Sequence, residues 1–489
     1  MLGPMIDLLL VQPPLSREER YGVLSAGGSS LPPFGLAWLA ATAREMGYSV
    51  AILDGEVEGL GENGTVERIL SIKAKVVGFT ATTISIGRAG NIAKGLKEKG
   101  FTGEILIGGA HVTAVPEKTL STYEAFDLAV LGEGEATLRE LLPLLLDGKD
   151  VGEVKGLAIR QEEGINRTAP RPFLELAELA ALPLPAFDLL PPLTKAYQPS
   201  ALRTHRLPSC SLVTTRGCGG QCTFCDNTVF GRRIRAFPAE YITEMVARLV
   251  KDYGVRDLTF YDDNFVVNRK RLKHFCSLLK KEKFDLTWSC NARVDVITEE
   301  LIETVKAAGC WQMSVGIESG DQGILDRECK GITLQQVKKA VNLLANNGIR
   351  TKGFFMVGHP GETYETAEKT IRFALELPLD DFQMSFLTPF PGTCIYHEVD
   401  KWGTLTENWE EMNMWTPVFI PNGMTREELV HLQSKAMRSF YLRPRIMWRY
   451  FMTCLTKPSV IGAVFRGGMA LLGGIFSKER AGRKDLSKH

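Results

Sequence analysis

Three cysteines within eight consecutive residues are the clearest chemical signal in this chain of 489 residues. Cys218, Cys222 and Cys225 stand in the segment RGCGGQCTFC, whose glycines leave room for three thiolates to converge. A structural zinc site commonly takes four ligands in two separated pairs, but the nearest other cysteines, Cys210 and Cys276, lie outside the loop. Three thiolates on a cuboidal iron–sulfur cluster instead leave one iron open to a substrate or cofactor. We therefore interpret the loop as a cluster site, with a buried cysteine trio or an incomplete zinc knuckle as the alternative.

The elements that must position this loop are short apolar strands and amphipathic helices that alternate behind residue 209. The cysteines follow the first strand directly, and the helical patterns end in glycines suited to a helix C-terminus. Six such units are too few for a closed eight-stranded barrel, so we predict a partial (βα)6 barrel of the TIM type with its site at the carboxyl ends of the strands. The strands are predicted at 211–215, 257–261, 286–291, 312–317, 352–357 and 383–388.

Polar residues and glycines follow four of these predicted strands. Each one alone is explained equally well as a helix cap or as half of an ion pair, whereas their recurrence at successive strand ends indicates a binding site. The residues are Asp262, Asp263 and Asn264 after the second strand, Arg293 after the third, Glu318 and Ser319 after the fourth, and Gly358, Pro360 and Gly361 after the fifth.

A separate α/β domain precedes the barrel in the first 150 residues. Five strands that are apolar on both faces alternate with helices, which indicates a doubly wound, flavodoxin-like (Rossmann-like) fold whose ligands bind beyond the carboxyl ends of the strands. A glycine turn, Gly108 and Gly109, stands at those ends together with Thr80 and Thr82. Small residues there suit the close passage of a bulky ligand, although any βα turn can be rich in glycine.

Composition predicts the remaining boundaries. Eight of the 24 prolines lie between Pro170 and Pro208, a density that resists regular structure and indicates a linker. We expect the front domain at 1–150, the proline-rich linker at 151–208, the barrel at 209–400 and a mostly helical region at 401–489.

The cysteine loop, with Phe224 before its last cysteine, and the βα series behind it resemble the radical S-adenosylmethionine (SAM) superfamily. The resemblance implies a [4Fe–4S] cluster on the three cysteines, whose open iron is chelated by the amino and carboxylate groups of SAM. One electron from the reduced cluster then cleaves a C–S bond of SAM, and the 5′-deoxyadenosyl radical so formed abstracts hydrogen. An electron donor such as flavodoxin or ferredoxin would supply that electron.

The same resemblance assigns the polar strand ends to SAM. The three residues after the second strand resemble the family's acidic motif and would hold the ammonium group. Arg293 would pair with the carboxylate of SAM, since a guanidinium binds a carboxylate through two hydrogen bonds. Glu318 and Ser319 suit the ribose hydroxyls, and the turn of Gly358 and Pro360 resembles the turn that contacts adenine.

The front domain resembles the cobalamin-binding class of the superfamily, in the segments LPPFGLAWLAATAREMGYSVAILD, VVGFTATT, ILIGGAHVTAVPE and DLAVLGEGEATL. The resemblance implies a cobalamin site, with the glycine turn near the nucleotide tail. The chain lacks the D-x-H-x-x-G motif, whose histidine coordinates cobalt in mutase-type domains, and has no histidine before His111. We expect His111 to make a structural contact or a contact with the tail rather than to bind cobalt.

Within this class the resemblance is to the subfamily of hopanoid biosynthesis and anaerobic magnesium-protoporphyrin ester cyclases. It implies radical modification of an unactivated carbon of a small or lipid-like molecule, most simply methylation, in which one SAM methylates cobalt and a second supplies the radical. The alternatives are an oxidative ring closure or rearrangement without methyl transfer, and a non-catalytic cobalamin- or redox-sensing protein. The tRNA-modifying methylthiotransferases carry a second cysteine trio in the front domain. This chain has no cysteine before Cys210, so its sequence argues against that branch.

Charge and hydropathy limit the expected partners and location. The net charge of +1 gives no argument for a nucleic-acid partner. The N-terminus lacks the basic start of a signal peptide, and no charge-free apolar stretch reaches about 18 residues. We therefore expect a cytoplasmic protein with reduced thiols. From Lys435 onwards, however, 12 Lys and Arg residues accompany only two acidic ones, and Arg466 interrupts an apolar stretch at 459–477. This pattern predicts either an interfacial helix on anionic lipid at the inner face of the membrane or a helical cap on the barrel.

Overall fold

A seven-stranded sheet forms the front of the molecule in the computed structural model, which describes residues 5–22, 25, 28–162, 164–197, 204–456, 461 and 465. Its strands are β1 (Ile6–Gln12), β2 (Val50–Asp54), β3 (Ala74–Thr80), β4 (Glu104–Gly108), β5 (Leu128–Val130), β6 (Leu157–Gln161) and β7 (Gly164–Arg167). They lie in the order β2-β1-β3-β4-β5-β6-β7, and the first five are parallel. This order confirms the predicted flavodoxin-like fold. The antiparallel strands β6 and β7 continue the sheet past residue 150, where the sequence predicts the end of the front domain.

Helices cover both faces of this sheet. They are α1 (Arg17–Tyr21), α2 (Phe34–Glu45), α3 (Glu62–Ile72), α4 (Ile86–Glu98), α5 (Ala110–Ala114), α6 (Pro116–Thr122) and α7 (Gly134–Leu146). In β1, Leu8 and Leu10 belong to the core under α2 and α7, whereas Leu9 and Val11 belong to the core under α3 and α4. Successive side chains of a strand point to opposite faces, so a strand buried on both faces reads as the continuous apolar run seen in the sequence.

The second sheet is an open half barrel of six parallel strands. Its strands are β8 (Ser209–Leu212), β11 (Asp257–Phe260), β12 (Thr287–Ala292), β13 (Cys310–Glu318), β14 (Arg350–Val357) and β15 (Asp381–Phe386), while β9 (Thr215–Arg216) and β10 (Arg235–Ala236) form a separate antiparallel ribbon. The order β15-β14-β13-β12-β11-β8 confirms the predicted partial barrel. β8 ends three residues earlier than predicted, because the backbone N–H of Thr214 donates to Asp262 Oδ1 (2.7 Å) instead of to a neighbouring strand.

Four of the six helices of the half barrel begin at threonine or asparagine caps. The six helices are α10 (Ala239–Tyr253), α11 (Arg269–Glu282), α12 (Glu299–Lys306), α13 (Gln322–Arg327), α14 (Leu334–Asn346) and α15 (Tyr364–Glu376). The side chains of Thr298, Thr333 and Thr363 accept hydrogen bonds from the first turns of α12, α14 and α15. Gly254 ends α10 in the left-handed conformation, as its place in the sequence predicts.

The linker and the C-terminal region pack on both sheets. They contain α8 (Leu176–Ala180), α9 (Leu193–Ala196), α16 (Cys394–His397), α17 (Val399–Trp402), β16 (Gly403–Leu405), β17 (Phe419–Pro421), α18 (Arg426–Tyr441) and α19 (Pro444–Thr456). In the linker, the hydroxyl of Tyr197 donates to Asp54 Oδ2 of the front domain (2.8 Å). The apolar stretch at 459–477 lies outside the described residues apart from 461 and 465. No helix in the described part of the chain is both long enough and apolar enough to cross a membrane.

Candidate active site

The cysteine loop is the long connection between β9 and β10, beyond the carboxyl end of β8. Its neck is the ribbon itself, in which Arg216 lies directly opposite Arg235. Gly217 begins the loop at a φ of +79°, and a Cβ there would lie 2.4 Å from the carbonyl oxygen of Arg233. Only glycine fits this turn, which brings the two ends of the loop together.

Two of the three cysteines, Cys218 and Cys222, meet at Gly220. Cys222 is buried, Cys218 is half-buried and Cys225 is exposed. A Cβ at Gly220 would lie 3.6 Å from Cys218 Sγ and 3.7 Å from Cys222 Sγ, so the glycine lies against two of the thiols. Among the described residues no three Cys, His, Asp or Glu side chains are arranged to hold a single metal ion. In a cuboidal cluster each thiolate binds its own iron, so the cluster needs no such convergence on one point.

The surroundings of the loop act differently on two of its thiols. The hydrogen bond from Cys225 lowers the pKa of Cys222 to about 6; burial opposes this, and the charges of Lys330 and Arg293 contribute to it. The same hydrogen bond, together with burial, raises the pKa of Cys225. Lys330 Nζ in turn donates to Glu318 Oε1 at 2.7 Å, and both side chains of this pair are about nine-tenths buried. Thiolates are the ligands that iron–sulfur clusters require, so the residues present fit a [4Fe–4S] cluster.

The three residues after β11 differ in what they can still bind. Asp262 is buried, and its Oδ1 accepts hydrogen bonds from the backbone of Thr214 and from the hydroxyl of Thr215 (2.6 Å), so it joins β8 to β11. Burial raises the pKa of Asp262 above its usual value. Asp263 is exposed, whereas Asn264 is buried and its Oδ1 has no hydrogen-bond partner within the described ranges. Asp263 and Asn264 are therefore better placed than Asp262 to hold the ammonium group of SAM, a role that stays a prediction.

Arg293 lies against the cysteine loop. Its Nη2 donates to Asp295 (3.1 Å) and to the carbonyl oxygen of Lys330 (3.0 Å), and its Nη1 would lie 3.5 Å from a Cβ at Gly220. These bonds hold the guanidinium within reach of a ligand on the cluster. The predicted pairing of Arg293 with the carboxylate of SAM would therefore use Nη1, and it stays a prediction.

The end of β13 is occupied by protein partners. Glu318 has a φ of +67°, which is rare for a residue with a Cβ and marks local strain, and its carboxylate binds Lys330. Ser319 is fully buried, and its Oγ bonds to the hydroxyl of Thr370 (3.0 Å) and accepts from the N–H of Asp321. The predicted contacts of Glu318 and Ser319 with the ribose therefore compete with bonds that the fold already makes.

The turn after β14 is tied to the cysteine loop through a buried histidine. Gly358 has a φ of +94°, and Glu362 Oε2 accepts from its N–H and from that of His359. His359 Nδ1 lies 3.0 Å from Glu328 Oε1, and the other oxygen of Glu328 accepts from the hydroxyl of Thr223, between two of the cysteines. Burial lowers the pKa of His359, but the hydrogen bond to Glu328 and the neighbouring carboxylates outweigh it, so the net shift is upward.

Sequence reasoning missed four residues that connect this site: Lys330, Glu328, His359 and Glu362. The segment GHPGE contains two of them, and the sequence analysis took only its glycines and proline as significant. Lys330 carries no local signal, because a lysine in the connection between two helices, here α13 and α14, is normally solvated. Pro360, in the same turn, accepts a hydrogen bond from Arg327 Nη1 through its carbonyl oxygen (3.0 Å).

In the front domain, the glycine turn lies at the carboxyl edge of the sheet, as predicted. Gly109 has a φ of +105°, and a Cβ there would lie 2.7 Å from the carbonyl oxygen of Ala81 and 3.0 Å from Thr80 Oγ1. Gly108 has ordinary space around it, and Thr82 is exposed at the start of the turn before α4. The edge thus offers small side chains and bare backbone, which fit the approach of a corrin nucleotide tail.

His111 is a structural residue. It is 1% exposed, its Nδ1 lies 3.3 Å from Thr83 Oγ1, and its ring meets that of Trp409 from the C-terminal region at 4.4 Å. Burial, with a smaller contribution from Lys118, lowers its pKa to about 4. These contacts agree with the expected structural role of His111.

Comparisons with known proteins agree with this geometry. Residues 212–374 match the radical SAM superfamily, and residues 22–142 match the B12 binding domain. The chain is 34% identical to the Pyrococcus horikoshii protein named "Uncharacterized methyltransferase PH0819", over 91% of this chain and 94% of that protein. It is 28% identical to the anaerobic magnesium-protoporphyrin IX monomethyl ester cyclase of Rubrivivax gelatinosus, over 88% of this chain and 80% of that protein.

A solved structure shares the fold along most of the chain. It is that of the cobalamin-dependent S-adenosylmethionine radical enzyme OxsB with aqua-cobalamin and S-adenosylmethionine bound, with a TM-score of 0.71. The match has 18% sequence identity and covers 94% of this chain and 72% of that chain, so the likeness is one of fold. The chain is therefore an enzyme of the radical SAM superfamily and belongs to its cobalamin-binding, methyltransferase-like class, for which a [4Fe–4S] cluster, SAM and cobalamin are the cofactors.

Proposed function

We propose that this enzyme methylates an unactivated carbon of a small molecule. The observation that carries the proposal is the arrangement of two candidate cofactor sites in one chain: a loop of three cysteines at the mouth of the half barrel, and a glycine edge in the front domain that packs beside it. The methyltransferase name of the relative that matches 91% of this chain supports the same reaction.

The proposal gives each group of residues one task. Cys218, Cys222 and Cys225 hold the cluster, which together with SAM and cobalamin supplies a carbon radical and a methyl group when these are bound. The site residues around them bind SAM, and the front-domain edge binds the corrin. Those residues are Asp262, Asp263, Asn264, Arg293, Glu318, Ser319, Gly358 and Pro360 for SAM, and Thr80, Thr82, Gly108 and Gly109 for cobalamin.

The competing reaction is an oxidative ring closure without methyl transfer, which the likeness to the Rubrivivax gelatinosus cyclase favours. The two reactions leave different products from SAM. Methylation yields S-adenosylhomocysteine as well as 5′-deoxyadenosine, whereas cyclisation yields only 5′-deoxyadenosine. A flavodoxin or ferredoxin as electron donor belongs to either version of the proposal.

The test is anaerobic reconstitution with iron, sulfide, SAM and hydroxocobalamin, followed by analysis of nucleosides and bound corrinoid. We expect 5′-deoxyadenosine, a stoichiometric corrinoid and S-adenosylhomocysteine. Cys222→Ala should abolish both nucleosides, whereas the matched control Cys276→Ala, a buried cysteine on α11, should keep them. Absence of SAM cleavage by a well-folded protein would refute the proposal, and 5′-deoxyadenosine with a turned-over substrate but no S-adenosylhomocysteine would replace methylation by cyclisation.

A second observation concerns where the enzyme works. One face of α19 carries a row of exposed apolar side chains, Trp448 (64%), Phe451 (54%) and Leu455 (60%), spaced three and four residues apart. The other face is fixed to the barrel, since Ile446 is buried and Arg449 binds Asp380. Together with the basic composition of the chain from Lys435 onwards, this face supports our proposal that α19 lies on an anionic lipid surface and that the substrate is lipid-like.

Vesicle sedimentation tests the lipid proposal. We expect binding to phosphatidylglycerol vesicles, weak binding to phosphatidylcholine vesicles, and a loss of binding at high salt because the basic residues contribute. Phe451→Ser should weaken sedimentation, whereas the control Leu176→Ser, an equally exposed leucine on α8, should not. Equal sedimentation of the Phe451→Ser variant and the unmodified protein would contradict the role of α19.

A further inference from the structure

The neck of the cysteine loop contains two buried arginines that face each other. Arg216 and Arg235 are paired across the β9–β10 ribbon, and they are 5% and 1% exposed. Like charges directly opposite each other destabilise a strand pair, and a buried charge needs a partner. The ribbon therefore forms in this place only because something else neutralises it.

The neutralising groups come from the front domain. Glu133 bridges both arginines, with Oε1 2.8 Å from Arg216 Nη1 and Oε2 2.7 Å from Arg235 Nη1. Glu135 binds Nη2 of Arg216 through its Oε1, and both glutamates are almost fully buried. Arg235 then donates from Nη2 to the carbonyl oxygen of Phe230, inside the cysteine loop (2.9 Å). A chain of charge-assisted hydrogen bonds thus runs from the front domain to the loop backbone.

The glutamates stand at the ligand edge of the front sheet. Glu133 follows β5 directly and precedes α7, at the same edge as Gly108 and Gly109. Gly392, which follows β15, lies between the loop and this edge: a Cβ there would lie 2.8 Å from Asp226 Oδ1 of the loop and 3.0 Å from Ala114 Cβ of α5. The cysteine loop is therefore enclosed between the front domain and the C-terminal end of the barrel.

We propose that Glu133 and Glu135 are positioning residues for the iron–sulfur cluster: by neutralising Arg216 and Arg235 at the neck, the front domain holds the cysteine loop in the shape that binds the cluster. Removing one partner of a buried ion pair leaves an uncompensated charge, whereas removing a partner of an exposed pair changes little. The same loop offers such an exposed pair, Arg233 with Glu175, in which both side chains are more than half exposed. The two pairs therefore separate the effect of burial from that of charge.

The test compares Glu133→Gln with the control Glu175→Gln in the full chain, reconstituted anaerobically. Partners outside the first coordination sphere of a metal typically change its affinity roughly 10- to 100-fold, so we expect Glu133→Gln to lose its cluster that much more readily to a chelator. The cluster that remains should have an altered electron paramagnetic resonance spectrum and midpoint potential. Glu175→Gln should match the unmodified protein in all three measurements.

The circular dichroism spectrum provides the check on folding. Glu133→Gln should keep this spectrum, because glutamine has the size of glutamate and its oxygen can still accept the hydrogen bond from the N–H of Leu174. If Glu133→Gln fails to fold, Glu135→Gln carries the test, since Glu133 then still bridges both arginines, and an intermediate loss of cluster is expected. A lower melting temperature with unchanged chelator rate, spectrum and potential would overturn the proposal. These readouts need neither substrate nor methyl transfer, so they can fail independently of the proposed function.

Discussion

Replacing Lys330 by Met should destabilise the protein by about 3–5 kcal/mol, because it leaves the buried carboxylate of Glu318 without its partner. The two side chains are 9% and 10% exposed, and their charged atoms lie 2.7 Å apart. The pair also covers Gly316, where a Cβ would lie 2.4 Å from Glu318 Oε1 and 2.9 Å from Lys330 Nζ. Methionine fills much of the volume of the lysine, so the main loss is the charge.

The double variant Lys330→Met/Glu318→Gln should recover most of this loss. Once neither partner is charged, only the hydrogen bonds of the neutral amide remain to be satisfied, and we expect a net cost of about 1 kcal/mol.

The assay is urea unfolding of the apo-protein under reducing, anaerobic conditions at neutral pH. Lys338→Met is the matched control: Lys338 binds Glu376 at 3.0 Å and lies 5.4 Å from the ring of Phe373, but this pair is more than half exposed. We expect the control to cost about 0.2–1 kcal/mol. Equal effects of Lys330→Met and Lys338→Met, or a double variant as unstable as Lys330→Met, would refute the reasoning from burial.

Two further predictions concern the front domain. Gly109→Ala should lower the melting temperature and weaken corrinoid retention, since its φ of +105° and the 2.7 Å approach to the carbonyl oxygen of Ala81 together cost about 1–3 kcal/mol; a variant as stable as the parent would show that the turn relaxes. His111, whose pKa is about 4 in the folded protein against about 6.5 for an unperturbed histidine, stabilises the fold fully above about pH 6.5 and loses that contribution as the pH falls towards 4. The free energy of unfolding should fall by about 2 kcal/mol between about pH 7 and pH 5. The measurement is unfolding monitored by the fluorescence of Trp409, which contacts the ring of His111, and His111→Gln should abolish this pH-dependent step.

The sequence by itself determined the features that depend on neighbouring residues. The cysteine spacing, the glycines of the loop and the apolar runs of the strands are local features. The apolar runs predicted the flavodoxin-like sheet and the half barrel, which the structure confirms, and the cysteine spacing predicted the cluster loop. Glycines whose φ is positive, such as Gly109 and Gly254, also stood where their turns require them. Periodicity and covalent spacing express local geometry directly, and these parts of the architecture could be predicted for that reason.

Only the tertiary structure decided which polar groups are free and which are already bound. Glu133 and Arg216 are 83 residues apart in the chain, and no sequence pattern near either residue indicates that they are in contact. Ser319 and Asp262 stand at the predicted edge, yet each is buried and bonded to the protein, whereas Asn264 keeps an unpartnered oxygen within the part of the chain that the structure describes. Burial and pairing are sums over contacts from distant segments, and the partner of a buried charge is therefore known only once those segments have folded together.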